Sequence, residues 1–114
     1  MLVVGSRPTR TNSDGIVVFT VGETTKEVEF YEGDNAFELF IAQDEFDVDY
    51  DSSSFGIFIN GINNVYGENT GKIDEDGWEI WTYWALYVNN EYSFEALDKI
   101  LLEDGILIEF RYGE

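Results

Sequence analysis

Residues 81–90, WTYWALYVNN, carry two interleaved sets of side chains, with Trp81, Tyr83 and Tyr87 on odd positions and Trp84, Leu86 and Val88 on even ones. Side chains of a strand point to opposite faces with a period of two. Both sets are apolar or aromatic, which fits either a strand covered on both sides or one with a core face and a contact face. Asn89-Asn90 follows. Asparagine tolerates positive φ better than other non-glycine residues, so a two-residue turn is expected there, with residues 91–94 returning as the partner strand.

Residues 16–21, IVVFTV, are rich in β-branched side chains and bounded by Asp14-Gly15 and Gly22-Glu23, which predicts a strand between turns. Residues 26–31, KEVEFY, alternate Glu27 and Glu29 with Val28 and Phe30 and complete a hairpin. Gly33 ends that strand, and Asp34 or Asn35 can cap a helix by accepting N–H groups of its first turn. Phe37, Phe40 and Ile41 fall at i, i+3 and i+4, predicting a helix of about two to three turns with one stripe against the sheet.

Residues 55–62, FGIFINGI, predict the next strand, in which Asn60-Gly61 suits a tight bend. Residues 63–77 then read as a long polar loop anchored by Val65 and Tyr66. Residues 96–102 include a short helical turn, Asp104-Gly105 makes a bend, and residues 106–112 form a last strand with Ile106, Ile108 and Phe110 on its core face. Two hairpin strands, one helix and later strands returning to the sheet predict an α+β roll, a mixed sheet of about five strands wrapped on one helix.

Two parts are expected. Residues 1–14 form an arm with an apolar tip, Leu2-Val3-Val4, and a polar stretch bearing Arg7 and Arg10; residues 15–114 form the folded domain. With Asp14 the arm sums to +1, leaving −19 of the net −18 on the rest. The arm is either a plain tail or an added strand, pairing with a sheet edge of its own domain or of a neighbouring copy.

The net charge of −18 argues against nucleic acid, because phosphates need a basic patch. A content of 44% hydrophobic and 17% aromatic residues nevertheless makes the chain globular. There is no cysteine for a disulfide or thiolate site, and no apolar run reaches the ~18 residues of a membrane span, so membrane insertion is not expected. No signal peptide stands at the start of these residues. Histidine is absent too. Catalysis would have to rest on carboxylates, Ser, Lys or Tyr, and nothing in the sequence groups them, so a non-enzymatic protein is expected.

Asp47, Asp49 and Asp51 are spaced like the opening of a calcium loop. Ser52 stands where that loop needs glycine and Phe58 where it needs glutamate, and a short strand with one solvated acidic face accounts for the same alternation. The aromatic set Trp78, Trp81, Tyr83, Tyr87 and Tyr92 either covers the sheet or forms an exposed platform for protein or glycan contacts. On the alternation, Trp84, Leu86 and Val88 are expected in the core and Trp81, Tyr83 and Tyr87 on the contact face.

The segments YWALYVNNEY and LLEDGILIEFRY resemble the transcobalamin C-terminal-like β-grasp family, a surface-protein domain of largely unknown function. The family's Tyr-Trp, its strand ending in Asn-Gly-Glu, its Asp-Gly and its closing Tyr correspond here to Tyr83-Trp84, Asn89-Asn90-Glu91, Asp104-Gly105 and Tyr112. Ile59-Asn60-Gly61 resembles a further family motif. Asn90, Ala96 and Ile106 stand where the family has Gly, Gly and an acid. The resemblance implies a β-grasp roll, an extracellular or cell-surface setting, and a binding or adhesion module whose partner is a protein or a glycan. It also brings cobalamin as a ligand, although in the cobalamin carriers a separate helical domain holds the other face of the corrinoid. The alternative is a self-assembling subunit, filament- or pilus-like, in which Leu2, Val3, Val4, Arg7 and Arg10 of one copy complete the sheet of the next.

Overall fold

The structure, a computed structural model, describes residues 13–114. Leu2, Val3, Val4, Arg7 and Arg10 lie outside the described residues. Strands β1 (Gly15–Val21) and β2 (Thr24–Phe30) form the expected hairpin, in register from Gly15↔Phe30 to Val21↔Thr24. Val17, Phe19 and Val21 alternate into the core. Helix α1 (Ala36–Ile41) starts at Asn35, whose side-chain oxygen accepts the N–H groups of Phe37 and Glu38 at 2.8 and 3.2 Å. Of the two capping candidates, Asn35 caps the helix; Asp34 instead accepts the N–H of Tyr31 at 2.8 Å.

The helix has six residues, fewer than its apolar spacing predicts, and buries Ala36, Phe37 and Phe40. Ile41 is at the surface. The Gln43 side-chain amide donates to the Leu39 carbonyl at 2.9 Å and its backbone N–H to Phe40 at 3.2 Å, so the chain turns off the helix axis. That turn brings Phe46 into the core, stacked on Phe40 with ring centres 4.8 Å apart.

The main sheet has five strands in the order β2-β1-β10-β8-β9, where β8 is Tyr83–Val88, β9 is Glu91–Tyr92 and β10 is Ile106–Gly113. β1 and β10 run parallel and the other pairs antiparallel, which makes the sheet mixed, with one α-helix packed on its core face. Ile106, Ile108 and Phe110 are buried as expected. No charged or polar side chain is buried among the described residues. None of their helices is long and apolar enough to cross a membrane.

A second sheet of three strands, β3 (Val48–Ser53), β4 (Gly56–Ile62) and β5 (Val65–Tyr66), adds Ile59 and Ile62 to the same core. Gly61 is not the expected bend. It stays in β4 opposite Asp49 and Tyr66, and a Cβ there would come within 2.6 Å of the Tyr66 ring, so the glycine serves close approach. The chain reverses two residues later at Asn63-Asn64, with φ of 52° and 68°. Residues 63–77 are not a loop either: besides β5 they contain β6 (Asn69–Ile73), which pairs with β7 (Glu79–Trp81). At the tip of that hairpin one carboxylate oxygen of Asp74 accepts the N–H groups of Asp76 and Trp78, both at 2.9 Å.

The stretch 81–88 is broken at Thr82, which separates β7 from β8. Its N–H donates to the Glu68 carbonyl at 2.8 Å, and its hydroxyl accepts the Glu68 N–H at 2.8 Å. Trp81 and Tyr83 therefore belong to different sheets, and the alternation does not carry across residue 82. The turn at Asn89-Asn90 is as expected, with φ of 51° and 72°. Its return strand ends at Tyr92 rather than residue 94.

Candidate functional site

β9 covers only the last two residues of β8, so the first half of β8 faces β4 across a groove of about 390 Å³. Its aromatic walls are Phe58 from β4, Tyr66 from β5, Trp81 from β7, and Tyr83 and Trp84 from β8. Phe58 is 60% exposed, Trp81 51%, Tyr66 43% and Tyr83 40%. Trp84 closes the wall. Its indole N–H donates to the Val65 carbonyl at 2.7 Å, and its ring lies 5.0 Å from that of Tyr112. The Tyr112 hydroxyl donates to the Tyr66 carbonyl at 2.7 Å and lies 2.8 Å from the Thr82 hydroxyl. Gly67 lets this clamp close, since a Cβ there would stand 2.6 Å from the Thr82 carbonyl oxygen.

Trp81 thus reaches the groove, and Tyr83 borders it from the face of β8 that also carries Tyr87, with Tyr92 close by. Tyr87 and Tyr92 lie on the sheet face opposite the core: the Arg111 guanidinium sits 3.8 Å above the Tyr87 ring, and Tyr92 meets that ring edge-on at 5.8 Å. Trp78 projects from the β6–β7 hairpin, 72% exposed and away from the groove. Trp84, Leu86 and Val88 are half-buried and pack against the core without being enclosed by it. Phe58 is the groove residue that the sequence pattern does not single out, while Tyr66 was expected as a loop anchor and Trp84 in the core. A signal existed for Tyr66, because Asn63-Asn64 repeats the Asn-Asn of the later hairpin and so marks a returning strand.

The family described as DUF4430, a domain of unknown function, matches residues 33–114. The chain belongs to this family. DUF4430 is transcobalamin-like, in keeping with the resemblance at Tyr83-Trp84 and Tyr112, both inside the matched residues. A candidate metal-binding protein from Ruminococcus gnavus ATCC 29149 has a similar structure, with a TM-score of 0.58 and 19% identity over 87% of this chain and 94% of that one. At that identity the likeness is one of fold. Comparison with curated proteins gives no match.

In this DUF4430 domain the groove has an acidic rim. The Tyr66 hydroxyl donates to Asp49 at 3.0 Å, and the Asn60 amide to Asp51 at 3.0 Å. The backbone N–H of Asp47 donates to the Asn63 side chain at 2.7 Å. Asp47, Asp49 and Asp51 do not converge: no group of three His, Cys, Asp or Glu able to hold a metal occurs among the described residues.

The Asp49 carboxylate holds the Tyr66 phenol above its ordinary value of about 10, because it accepts a bond that only the neutral phenol can donate. Tyr83 is raised as well, first by desolvation and then by its neighbour Tyr92. For a raised group, the contribution to stability is complete below the ordinary value and is lost as pH rises through the raised one. Asp49→Asn is therefore expected to lower the ionisation midpoint of Tyr66 in an ultraviolet difference titration, with Tyr66→Phe identifying the transition. An unmoved midpoint would show that the bond does not form in solution.

Proposed function

We propose that this DUF4430 domain is a non-enzymatic β-grasp binding module, acting outside the cell or at its surface, that holds part of a protein or glycan partner in the groove between β4 and β8. The observation that carries this reading is the set of exposed aromatic walls. Phe58, Trp81, Tyr66 and Tyr83 surround an open groove, while the core is filled by a separate cluster that contains none of them. Clustered exposed aromatics are the material of contact sites, and burying them on a partner recovers area that the fold leaves in water. The β-grasp assignment is supported by the order β2-β1-β10-β8 with its parallel central pair against α1. The surface setting rests on the transcobalamin-like character of the family.

The full chain, screened against peptide and glycan arrays, is expected to give hits that Trp81→Ala weakens at least about tenfold while the melting point holds. Hits retained by both Trp81→Ala and Phe58→Ala would remove the groove from consideration. The second reading, a subunit that assembles through its N-terminal residues, draws support from charge. Residues 1–12 contain Arg7 and Arg10 and no acid, so all 24 carboxylates belong to residues 13–114.

A further inference from the structure

We propose that the occupant of the groove is the Leu2–Arg10 segment of a second copy of this chain, so that the protein associates head to tail. The inference rests on the groove being a binding site and names what it binds. The groove combines aromatic walls with Asp49 and Asp51, which accept hydrogen bonds from its lining residues Tyr66 and Asn60, and no Lys or Arg lines it among the described residues. A complementary ligand is apolar at one end and cationic beyond it. Leu2-Val3-Val4 followed by Arg7 and Arg10 has that composition, and within this sequence Arg7 and Arg10 are the two cations of a stretch with no acid.

The outer edge of β2 is another place where an added segment could pair. Its surface-facing side chains there are Thr25, Glu27 and Glu29, which offer charge but no apolar pocket for a Leu-Val-Val tip. The groove offers both.

Reach decides between the chain's own groove and that of a neighbour. Asp14 is fixed beside Phe30, to whose carbonyl its N–H donates at 2.9 Å, at the start of β1. β1 and β10 are in register at Val17↔Ile106, and Tyr83 pairs with Gly113 at the far end of β10. The groove is therefore about ten strand positions away, ~33 Å along the strands and ~10 Å across them. The ten residues from Asp14 back to Val4 span at most ~33–36 Å fully extended, with no slack to pass around the sheet. Reaching its own groove would hold residues 4–13 stretched to nearly full length, whereas a neighbouring copy's groove sets no such demand. Such a contact joins two different surfaces and does not close on itself in a pair, so it propagates.

The test uses the full chain. Sedimentation velocity from micromolar to millimolar protein is expected to show a mass that grows with concentration. Val3→Asp, outside the described residues, and Phe58→Asp, at an exposed groove position, should each raise the concentration needed for association at least about tenfold. An equimolar mixture of the two variants retains one intact segment and one intact groove, and should form a 1:1 dimer and nothing longer. A wild-type chain that stays monomeric throughout, a Val3→Asp chain that associates like wild type, or a mixture that gives no dimer would each overturn the proposal. A monomeric chain whose array hits still depend on Trp81 would sink this inference and leave the groove reading standing; array hits independent of Trp81 and Phe58 would sink both.

Discussion

Replacing Phe40 with alanine is expected to remove a large share of the stability of the domain. Phe40 is fully buried, and its ring meets those of Phe19, Phe46 and Phe110 at 5.2, 4.8 and 5.2 Å. Those partners come from β1, from the segment after the helix and from β10, so one side chain joins the parallel strand pair to everything packed on it. Truncating a buried phenylalanine to alanine costs about 3–5 kcal/mol, through lost transfer energy and the cavity left behind. Aromatic pairs add ~0.5–1.5 kcal/mol beyond the buried area. Against a total stability of about 5–15 kcal/mol, that loss is a large share. Phe40→Leu keeps most of the volume and should cost about 1–2 kcal/mol. Urea titration followed by circular dichroism reads both as shifts of midpoint at unchanged slope. A Phe40→Ala chain within ~1 kcal/mol of wild type would mean that the four rings do not pack as described.

The main sheet was legible because its signals are local. IVVFTV and ILIEFRY each place alternate side chains on one face, and Val17, Phe19, Ile106, Ile108 and Phe110 are all buried on it. A cap at Asp34 or Asn35 was legible, and Asn89-Asn90 as a turn, since both depend on what a single side chain or backbone can do. The misread positions depend on contacts distant in sequence. Gly61 looks like a turn residue but serves the Tyr66 ring, which only pairing with β5 brings near. Ile41 fits the helical stripe, yet Gln43 ends the helix and Phe46 arrives from outside the repeat to pack on Phe40.

The candidate site divides in the same way. Trp81 and Tyr83 were visible as exposed aromatics, but alternation put them on one strand, and Thr82 places them on two by turning its N–H and hydroxyl toward Glu68. Nothing near Thr82 in sequence announces that bond. Phe58 lies between Ile57 and Ile59 in an apolar run, where no periodicity marks it as left in water. The hairpin at residues 69–81 is polar and glycine-bearing, so its composition reads as loop, although Asp74 and Gly77 bracket a turn. A pairing that buries little leaves little hydrophobic pattern to read.

Trp84 and Trp81 are expected to separate stability from binding. Trp84 holds the groove wall through its bond to the Val65 carbonyl, its contact with Tyr112 and its packing against the core. Trp84→Ala removes all three and should cost about 3 kcal/mol, at the low end for a large aromatic because the ring is only half-buried. Trp84→Phe keeps a ring and loses the N–H, so about 1 kcal/mol is expected, the worth of one hydrogen bond. Trp81→Ala removes a side chain that is 51% exposed and should stay within ~0.5 kcal/mol of wild type. The binding order inverts this: Trp81→Ala should lose the groove's ligand at full stability, whereas Trp84→Phe keeps a weakened ligand on a groove whose β5 wall has loosened. Urea midpoints for the three variants, set beside their binding to the same array hits, test the division. Equal stability losses at Trp81 and Trp84 would show that the two indoles share one role, and the distinction between clamp and contact surface would fall.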